Sequence, residues 1–185
     1  MTLEVESIKG IMLEKDAIRR TIARIAHEIV EKNDDLSNVA LVGIKTRGVP
    51  LANRIRDFIL SFENVALDTG VLDISNFRDD LTLMSKPVLP EFDFNVVGRD
   101  IVLVDDVLFT GRTARAGIEA LIRTGRPRSI QLAVLVDRGH RELPFRADFV
   151  GKNMPTSREE EVKVLLEETD GEDKVLLLEK TKTKK

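Results

Sequence analysis

Two adjacent aspartates, Asp105 and Asp106, follow four branched apolar residues in the stretch IVLVDDVLFTGRT, residues 101–113. Ionised carboxylates accept hydrogen bonds from paired hydroxyl groups. The next loop, Thr110 to Thr113, has small side chains and a glycine before a helical pattern, and N–H groups at a helix start bind phosphate. Because carboxylates repel phosphate, the two features must face different parts of one ligand. A ribose 5-phosphate moiety, with a free diol and a terminal phosphate, satisfies both demands.

Other interpretations of these motifs remain open on the residues alone. Two acids after a strand also occur where magnesium is bound directly or in receiver-type phospho-acceptors, and a Thr/Gly loop can simply cap a helix. A nucleotide-binding P-loop is excluded, because the chain contains no GxxxxGK[ST] pattern.

A second candidate cluster is the turn Lys45-Thr46-Arg47-Gly48, which follows the apolar run VALVGI. It supplies cationic donors beside a flexible glycine, as an anion site requires. The alternative is a solvated basic turn.

Hydrophobic periodicity places these motifs on an α/β scaffold. Helices are predicted from Glu14 to Lys32, from about Leu51 to Ile59 and from Ala114 to Arg123. Strands are predicted at 39–44, 65–74, 101–104, 130–136, 147–150, 162–166 and 174–178, with a hairpin turn at 169–172 and an irregular excursion at 75–98. The order predicts a mostly parallel twisted central sheet flanked by helices, with a C-terminal hairpin, and places the aspartates at the carboxyl end of a central strand, where such sheets bind ligands.

Composition narrows the function classes. A chain of 185 residues with 42% hydrophobic and 33% charged residues predicts one domain over residues 1–185. There is no cysteine, so disulfides and thiolate metal sites are excluded. We expect no signal peptide, no membrane contact and a cytoplasmic location. The net charge of −3 gives no general attraction to nucleic acid.

The motif at 101–113 resembles the phosphoribosyl pyrophosphate (PRPP) signature of type I phosphoribosyltransferases. GIKTRG, DISNFRDDL and VDRGHRELPFRADFVGKNMPTS resemble the bacterial bifunctional pyrimidine operon attenuator/uracil phosphoribosyltransferase family, over residues 13 to about 175. The resemblance implies transfer of ribose 5-phosphate from PRPP to uracil, giving UMP and pyrophosphate. Magnesium is expected through the substrate, with no dedicated protein metal site.

The resemblance also assigns roles by position. Asp105 and Asp106 would hold the ribose hydroxyls, and Lys45, Thr46 and Arg47 would bind pyrophosphate in a loop that often contains a non-proline cis bond. Catalysis would depend on Arg47, on the aspartates and on Arg78 in a flexible lid of about 75–98, although an exposed charged loop is the alternative there. The remaining residues expected to bind PRPP or UMP are Val107, Leu108, Phe109, Thr110, Gly111, Arg112 and Thr113.

Uracil is expected after the strand that ends at Val136, near Asp137 and Arg138, under a small hood of about 138–160. Relatives read the pyrimidine largely through main-chain groups of this hood. The chain departs from the family at Phe77 and Phe109, where close relatives commonly carry Tyr, so we expect the ring packing to survive and a hydrogen bond to PRPP or within the lid to be weakened.

The family's second activity is UMP-dependent binding of pyrimidine operon leader mRNA. Basic residues support it in part: one group recurs at helical spacing and another lies in the segment 140–158. The expected RNA contacts are Arg24, His27, His140, Arg141, Arg146, Lys152 and Thr156. Solvated charged faces are the alternative, as is a regulator with little catalysis or a transferase for another base. We expect a homo-oligomer, a dimer or higher.

Overall fold

The structure is a computed structural model that describes residues 3–77 and 88–183. In chain order its elements are β1 (Leu3–Glu14), α1 (Lys15–Lys32), β2 (Val39–Ile44), α2 (Gly48–Glu63), β3 (Asp68–Leu72), β4 (Asp100–Leu108), α3 (Arg112–Thr124), β5 (Ser129–Asp137), β6 (Phe149–Asn153), β7 (Glu160–Leu165), α4 (Glu167–Asp170) and β8 (Lys174–Thr183). Short 3₁₀ turns precede β2 and follow β3.

A five-stranded sheet in the order β3-β2-β4-β5-β6 forms the centre of the fold, and every neighbouring pair in it is parallel. Alternate residues of β4 enter different hydrophobic clusters: Val102 packs with α1 and α2, whereas Leu103 packs with α3. Helices therefore cover both faces, which explains why β2 and β4 are continuous apolar runs. The prediction of a parallel α/β sheet flanked by helices is confirmed.

A second sheet of three antiparallel strands, in the order β1-β8-β7, is built from both ends of the chain. The predicted C-terminal hairpin is confirmed as β7 and β8, although the short helix α4 connects them where a simple turn was expected at 169–172. Sequence analysis assigned no strand to the first 14 residues. Strand β1 was missed because Ile8 and Ile11 are 66% and 51% exposed and its pairing to β8 contains two irregularities in register.

Some element boundaries also differ from the predicted ones. Strand β3 covers 68–72, shorter than the predicted 65–74, and β6 begins at Phe149. Strand β4 continues through both aspartates to Leu108. The two carboxylates therefore belong to the last residues of the strand and do not lie in the loop that follows it. Within the described residues, none of the helices is long and apolar enough to cross a membrane.

Candidate active site

The carboxylate pair lies at the carboxyl end of β4, in the middle of the parallel sheet. Each side chain accepts a hydrogen bond from the next backbone amide: Asp105 Oδ1 from Asp106 N at 2.9 Å, and Asp106 Oδ1 from Val107 N at 2.8 Å. Burial among apolar neighbours, and then the charge of Asp106, raise the pKa of Asp105 well above its usual range. Hydroxyl donors from a ligand would stabilise the ionised form, as the diol prediction requires.

The predicted phosphate loop turns sharply at Gly111, whose φ of 91° favours glycine, and leads directly into α3. The hood loop is hydrogen-bonded to the phosphate loop, because the Thr110 carbonyl oxygen accepts hydrogen bonds from Glu142 N and Leu143 N, each at 3.0 Å. Arg112 Nε donates to Glu142 at 2.9 Å. The amide-rich turn is thus held from both sides.

The basic turn 45–47 lies between β2 and α2, and the peptide bond between Lys45 and Thr46 is cis. Lys45 Nζ lies 3.3 Å from Asp73 Oδ2. A Cβ atom at Gly48 would lie 2.3 Å from the Val104 carbonyl oxygen. Only glycine therefore allows the start of α2 to approach β4 this closely, and this approach brings Arg47 near the carboxylates.

One cavity of about 440 Å³ joins these features. Its lining contains both aspartates, the basic turn and the helix start; the residues are Lys45, Thr46, Arg47, Asp73, Ile74, Ser75, Asp105, Asp106, Val107 and Thr113. Leu108, by contrast, has its side chain buried in the core at 4% exposure. Its carbonyl oxygen accepts from Arg138 N at 3.0 Å, so its part in the site is through the backbone.

A second cavity, of about 320 Å³, adjoins the first and shares Val107 with it. Arg138 lines it with its guanidinium 3.9 Å from the centroid of the Phe109 ring. Its Nη2 atom donates to the carbonyl oxygens of Ser157 at 3.1 Å and Glu160 at 2.6 Å. Arg138 is only 5% exposed, and it therefore shapes the wall of this cavity by fixing the hood.

The Asp137 carboxylate also accepts hydrogen bonds from nearby residues of its own loop. Its Oδ1 atom accepts from Gly139 N at 3.0 Å, and its Oδ2 atom accepts from Arg141. The contacts indicate that Asp137 organises the turn beside the second cavity.

The expected RNA-binding residues fall into two groups. Arg146 and Lys152 are exposed, and Lys152 lies on β6, next to α1. Arg24 on α1 donates to the backbone carbonyls of Val150 and Gly151, and His27 stacks on Phe62 with centroids 4.0 Å apart. The structure therefore places α1 and β6 side by side, joined by the Arg24 contacts.

The other group lies inside the hood loop. Arg141 donates to the carbonyl oxygens of Phe109 at 2.7 Å and Phe145 at 2.9 Å, in addition to Asp137. His140 Nε2 contacts the Thr156 carbonyl oxygen, and Thr156 Oγ1 accepts from Arg138 Nε at 3.1 Å. The Arg141 contact connects the hood to Phe109, the residue just before the predicted phosphate loop.

Arg78 and the part of its predicted lid from 78 to 87 lie outside the described residues. The described start of this segment is anchored to α3, because Arg115 Nη2 donates to the Phe77 carbonyl oxygen at 2.8 Å. The Phe77 ring is buried at 4% exposure, so its packing does not depend on a tyrosine hydroxyl.

Sequence reasoning missed three acidic residues that contact the site's cations: Asp73 on Lys45, Glu142 on Arg112 and Asp170 on Arg47. Asp73 lies beyond β3, at the same sheet edge as the aspartates, and could have been found from that position. Asp170 was interpreted as part of a hairpin turn, and its sequence position carries no signal of its contact with α2.

Comparisons with known proteins agree with this geometry. The model of the phosphoribosyl transferase domain family matches residues 10–167. The Bifunctional protein PyrR of Clostridium novyi is 57% identical over 175 residues, which cover 93% of this chain and 98% of that protein. The Bifunctional protein PyrR of Thermus aquaticus is 60% identical over 175 residues, covering 93% and 97%.

Among solved structures, the hypoxanthine phosphoribosyltransferase of Trypanosoma cruzi matches with a TM-score of 0.72 over 94% of this chain and 98% of that one, at 19% identity. At that identity the similarity concerns the fold, which is the type I phosphoribosyltransferase fold expected from the sequence. The close relatives decide the family. The chain belongs to the PyrR family of bifunctional phosphoribosyltransferases, as its motifs predicted.

Proposed function

We propose that the protein transfers ribose 5-phosphate from PRPP to uracil, and that it binds pyrimidine operon leader mRNA in a UMP-dependent way to regulate pyrimidine biosynthesis genes. The observation that carries the catalytic part is the single cavity that unites the carboxylate pair, the helix start and the basic turn. A separate second cavity next to it offers space for a base.

The ribose 5-phosphate part of PRPP fits the two features of β4 and α3. Asp105 and Asp106 hold the 2′- and 3′-hydroxyls, and the N–H groups of 111–113 hold the 5′-phosphate at the start of α3. We infer that C1′ of the sugar then lies near Val107, because this residue lines both cavities.

The pyrophosphate group then lies against Lys45, Thr46 and Arg47. Asp73, Asp105 and Asp106 line the same cavity, but no acidic cluster among the described residues is close enough to hold a metal ion by itself. Magnesium would therefore bind mainly through the phosphate oxygens of PRPP. Bound magnesium would neutralise the charge that develops on the leaving pyrophosphate. Arg47 supports the same charge from the protein side.

In the reaction, the bond from C1′ to the pyrophosphate oxygen breaks and a bond from C1′ to N1 of uracil forms, while the N1 proton leaves to solvent or to pyrophosphate. The transition state has oxocarbenium character, so the protein mainly orients the substrates and excludes water. Uracil is proposed to occupy the second cavity, between the Phe109 and Arg138 side and the backbone of β7. Residues 160–162 line this cavity, and we propose that their main-chain groups read the polar edge of uracil.

The RNA surface is proposed to combine α1, β6 and the loop before β6. Arg146 and Lys152 are the exposed cations on which it rests most directly, with Arg24 and His27 beside them. Arg141 and Thr156 act on RNA through the hood, because their polar groups contact neighbouring residues. Because the hood is also hydrogen-bonded to Thr110, binding of UMP at the phosphate loop can alter the proposed RNA surface.

The test compares uracil, hypoxanthine and orotate as acceptors with PRPP and magnesium. We expect turnover with uracil and UMP as product. Turnover with hypoxanthine or orotate but not uracil would replace the proposed substrate.

A gel shift of leader RNA with and without UMP tests the regulatory part, and failure of UMP to change the affinity would contradict it. We further propose a cytoplasmic homo-oligomer, to be checked by its mass in solution.

A further inference from the structure

The C-terminal hairpin contacts one residue of the proposed active site, Arg47, through one carboxylate. Asp170, the last residue of α4, accepts two hydrogen bonds from Arg47: from Nε at 3.1 Å and from Nη2 at 2.8 Å. The two side chains are 18% and 30% exposed, so the pair is largely shielded from water. This is the two-point geometry in which a carboxylate fixes the plane of a guanidinium.

Asp170 is itself held rigidly. Its Oδ2 atom also accepts from Leu166 N at 2.9 Å and from Thr169 Oγ1 at 2.7 Å. Leu166 is fully buried, which anchors the start of α4 in the core. The carboxylate therefore has a fixed position before any ligand binds.

The fork leaves part of Arg47 available. Its Nη1 atom has no hydrogen-bond partner among the residues that the structure describes. The Arg47 side chain lines the cavity of about 440 Å³ and experiences the charge of Asp106. A guanidinium held along its Nε edge presents its opposite edge to the cavity. That edge is where the proposed pyrophosphate lies.

We propose that Asp170 is a positioning residue for phosphoribosyl transfer: it holds the Arg47 guanidinium in the orientation that stabilises the leaving pyrophosphate. This inference rests on the proposed function. Asp170 touches no substrate and acts through Arg47. An unsupported arginine would sample many rotamers, and ordering it would be a cost of reaching the transition state.

A purely structural role, that of attaching the hairpin to α2, is the main alternative. Arg54 already performs that attachment, with two hydrogen bonds to Glu168 at 2.8 and 2.7 Å and two to Asp173 at 2.9 and 2.7 Å. The hairpin therefore remains anchored when the Asp170 contact is removed. Glu168 provides the matched control, since it lies on the same short helix and pairs with the same α2.

The test measures uracil transfer by Asp170→Asn, Asp170→Glu and the control Glu168→Gln, together with Arg47→Ala and the double variant Arg47→Ala/Asp170→Asn. We expect Asp170→Asn to lower kcat/KM about 10- to 100-fold, mostly through kcat, because misplacement of a catalytic group acts on the transition state. Glu168→Gln should change it less than about twofold, and Asp170→Glu should recover part of the loss. In the Arg47→Ala background, Asp170→Asn should have almost no further effect.

Equal losses in Asp170→Asn and Glu168→Gln would overturn the proposal, as would a full additional loss in the Arg47→Ala background. Binding of magnesium pyrophosphate, measured by calorimetry, gives a readout that does not require uracil turnover. We expect Asp170→Asn to weaken it about tenfold, which corresponds to one charge-assisted hydrogen bond. Tighter binding would show that Asp170 competes with pyrophosphate. If the unaltered protein binds pyrophosphate but does not use uracil, the proposed function fails and the binding comparison still decides the role of Asp170.

Discussion

The substitution Gly48→Ala tests how the backbone assembles the active site. The added Cβ atom would lie 2.3 Å from the Val104 carbonyl oxygen and 3.4 Å from the Asp105 Cα atom. Ordinary contact begins at 3.4 Å, so the start of α2 must move away from β4 by about 1 Å. A displacement of about 1 Å can cost about 100-fold in rate, and Arg47 is the residue immediately before the displaced glycine.

We therefore expect Gly48→Ala to lower kcat/KM for PRPP about 100-fold and to reduce the free energy of unfolding by about 1–3 kcal/mol, as overpacking does. Steady-state uracil transfer and urea denaturation measure the two effects. Gly10→Ala is the matched control, because a Cβ at Gly10 has nothing within 4 Å. A folded Gly48→Ala protein with unchanged kcat/KM would refute the view that this close approach positions Arg47.

Three further predictions separate the parts of the proposed mechanism. Arg47→Ala should reduce kcat/KM at least about 100-fold while RNA binding stays intact; Arg146→Ala should do the reverse and lower the salt slope of RNA binding by about one, and normal RNA binding at matched salt would remove Arg146 from the interface. Because burial raises the pKa of Asp105, ionisation destabilises the fold as pH rises above about 4. Asp105→Asn should thus gain stability relative to the unaltered protein as the pH rises above about 4, and a difference independent of pH would contradict this. Arg138→Lys should raise the KM for uracil about tenfold and the KM for PRPP by a smaller factor, because lysine cannot bridge the Ser157 and Glu160 carbonyls as a fork. Equal increases in the two KM values would argue against a base site there.

The centre of the five-stranded sheet could be predicted from the sequence because β2, β4 and β5 contain continuous apolar runs. The run IVLV and the adjacent aspartates locate β4 by local pattern alone, although the strand continues past its predicted end to Leu108. Parallel strands with helices on both faces then require the observed layout. The residues of the basic turn and the carboxylate pair follow from the same rule, since both lie at carboxyl ends of neighbouring strands.

The second sheet could not be predicted to the same extent, because its pairing is non-local. Strand β1 pairs with β8, which lies at the other end of the chain. Residues 180–183 belong to β8 as partners of 3–6. A strand whose partner is about 170 residues away leaves little local signal when one face is exposed.

The supporting contacts of the site were equally hidden. Arg138 was predicted to lie near uracil, but residue type did not reveal that its Nη2 atom also donates to the hood carbonyls of Ser157 and Glu160. Asp170 looked like a turn residue, and only the fold brings it to Arg47. Such contacts depend on how loops from distant parts of the chain meet, and residue type alone does not specify this.

A crystal structure with bound PRPP and magnesium tests the central claim most directly. The account predicts both ribose hydroxyls within about 3 Å of the Asp105 and Asp106 carboxylates and the 5′-phosphate on the N–H groups of 111–113. A ribose whose hydroxyls face away from both carboxylates, or a 5′-phosphate bound anywhere other than the start of α3, would contradict it.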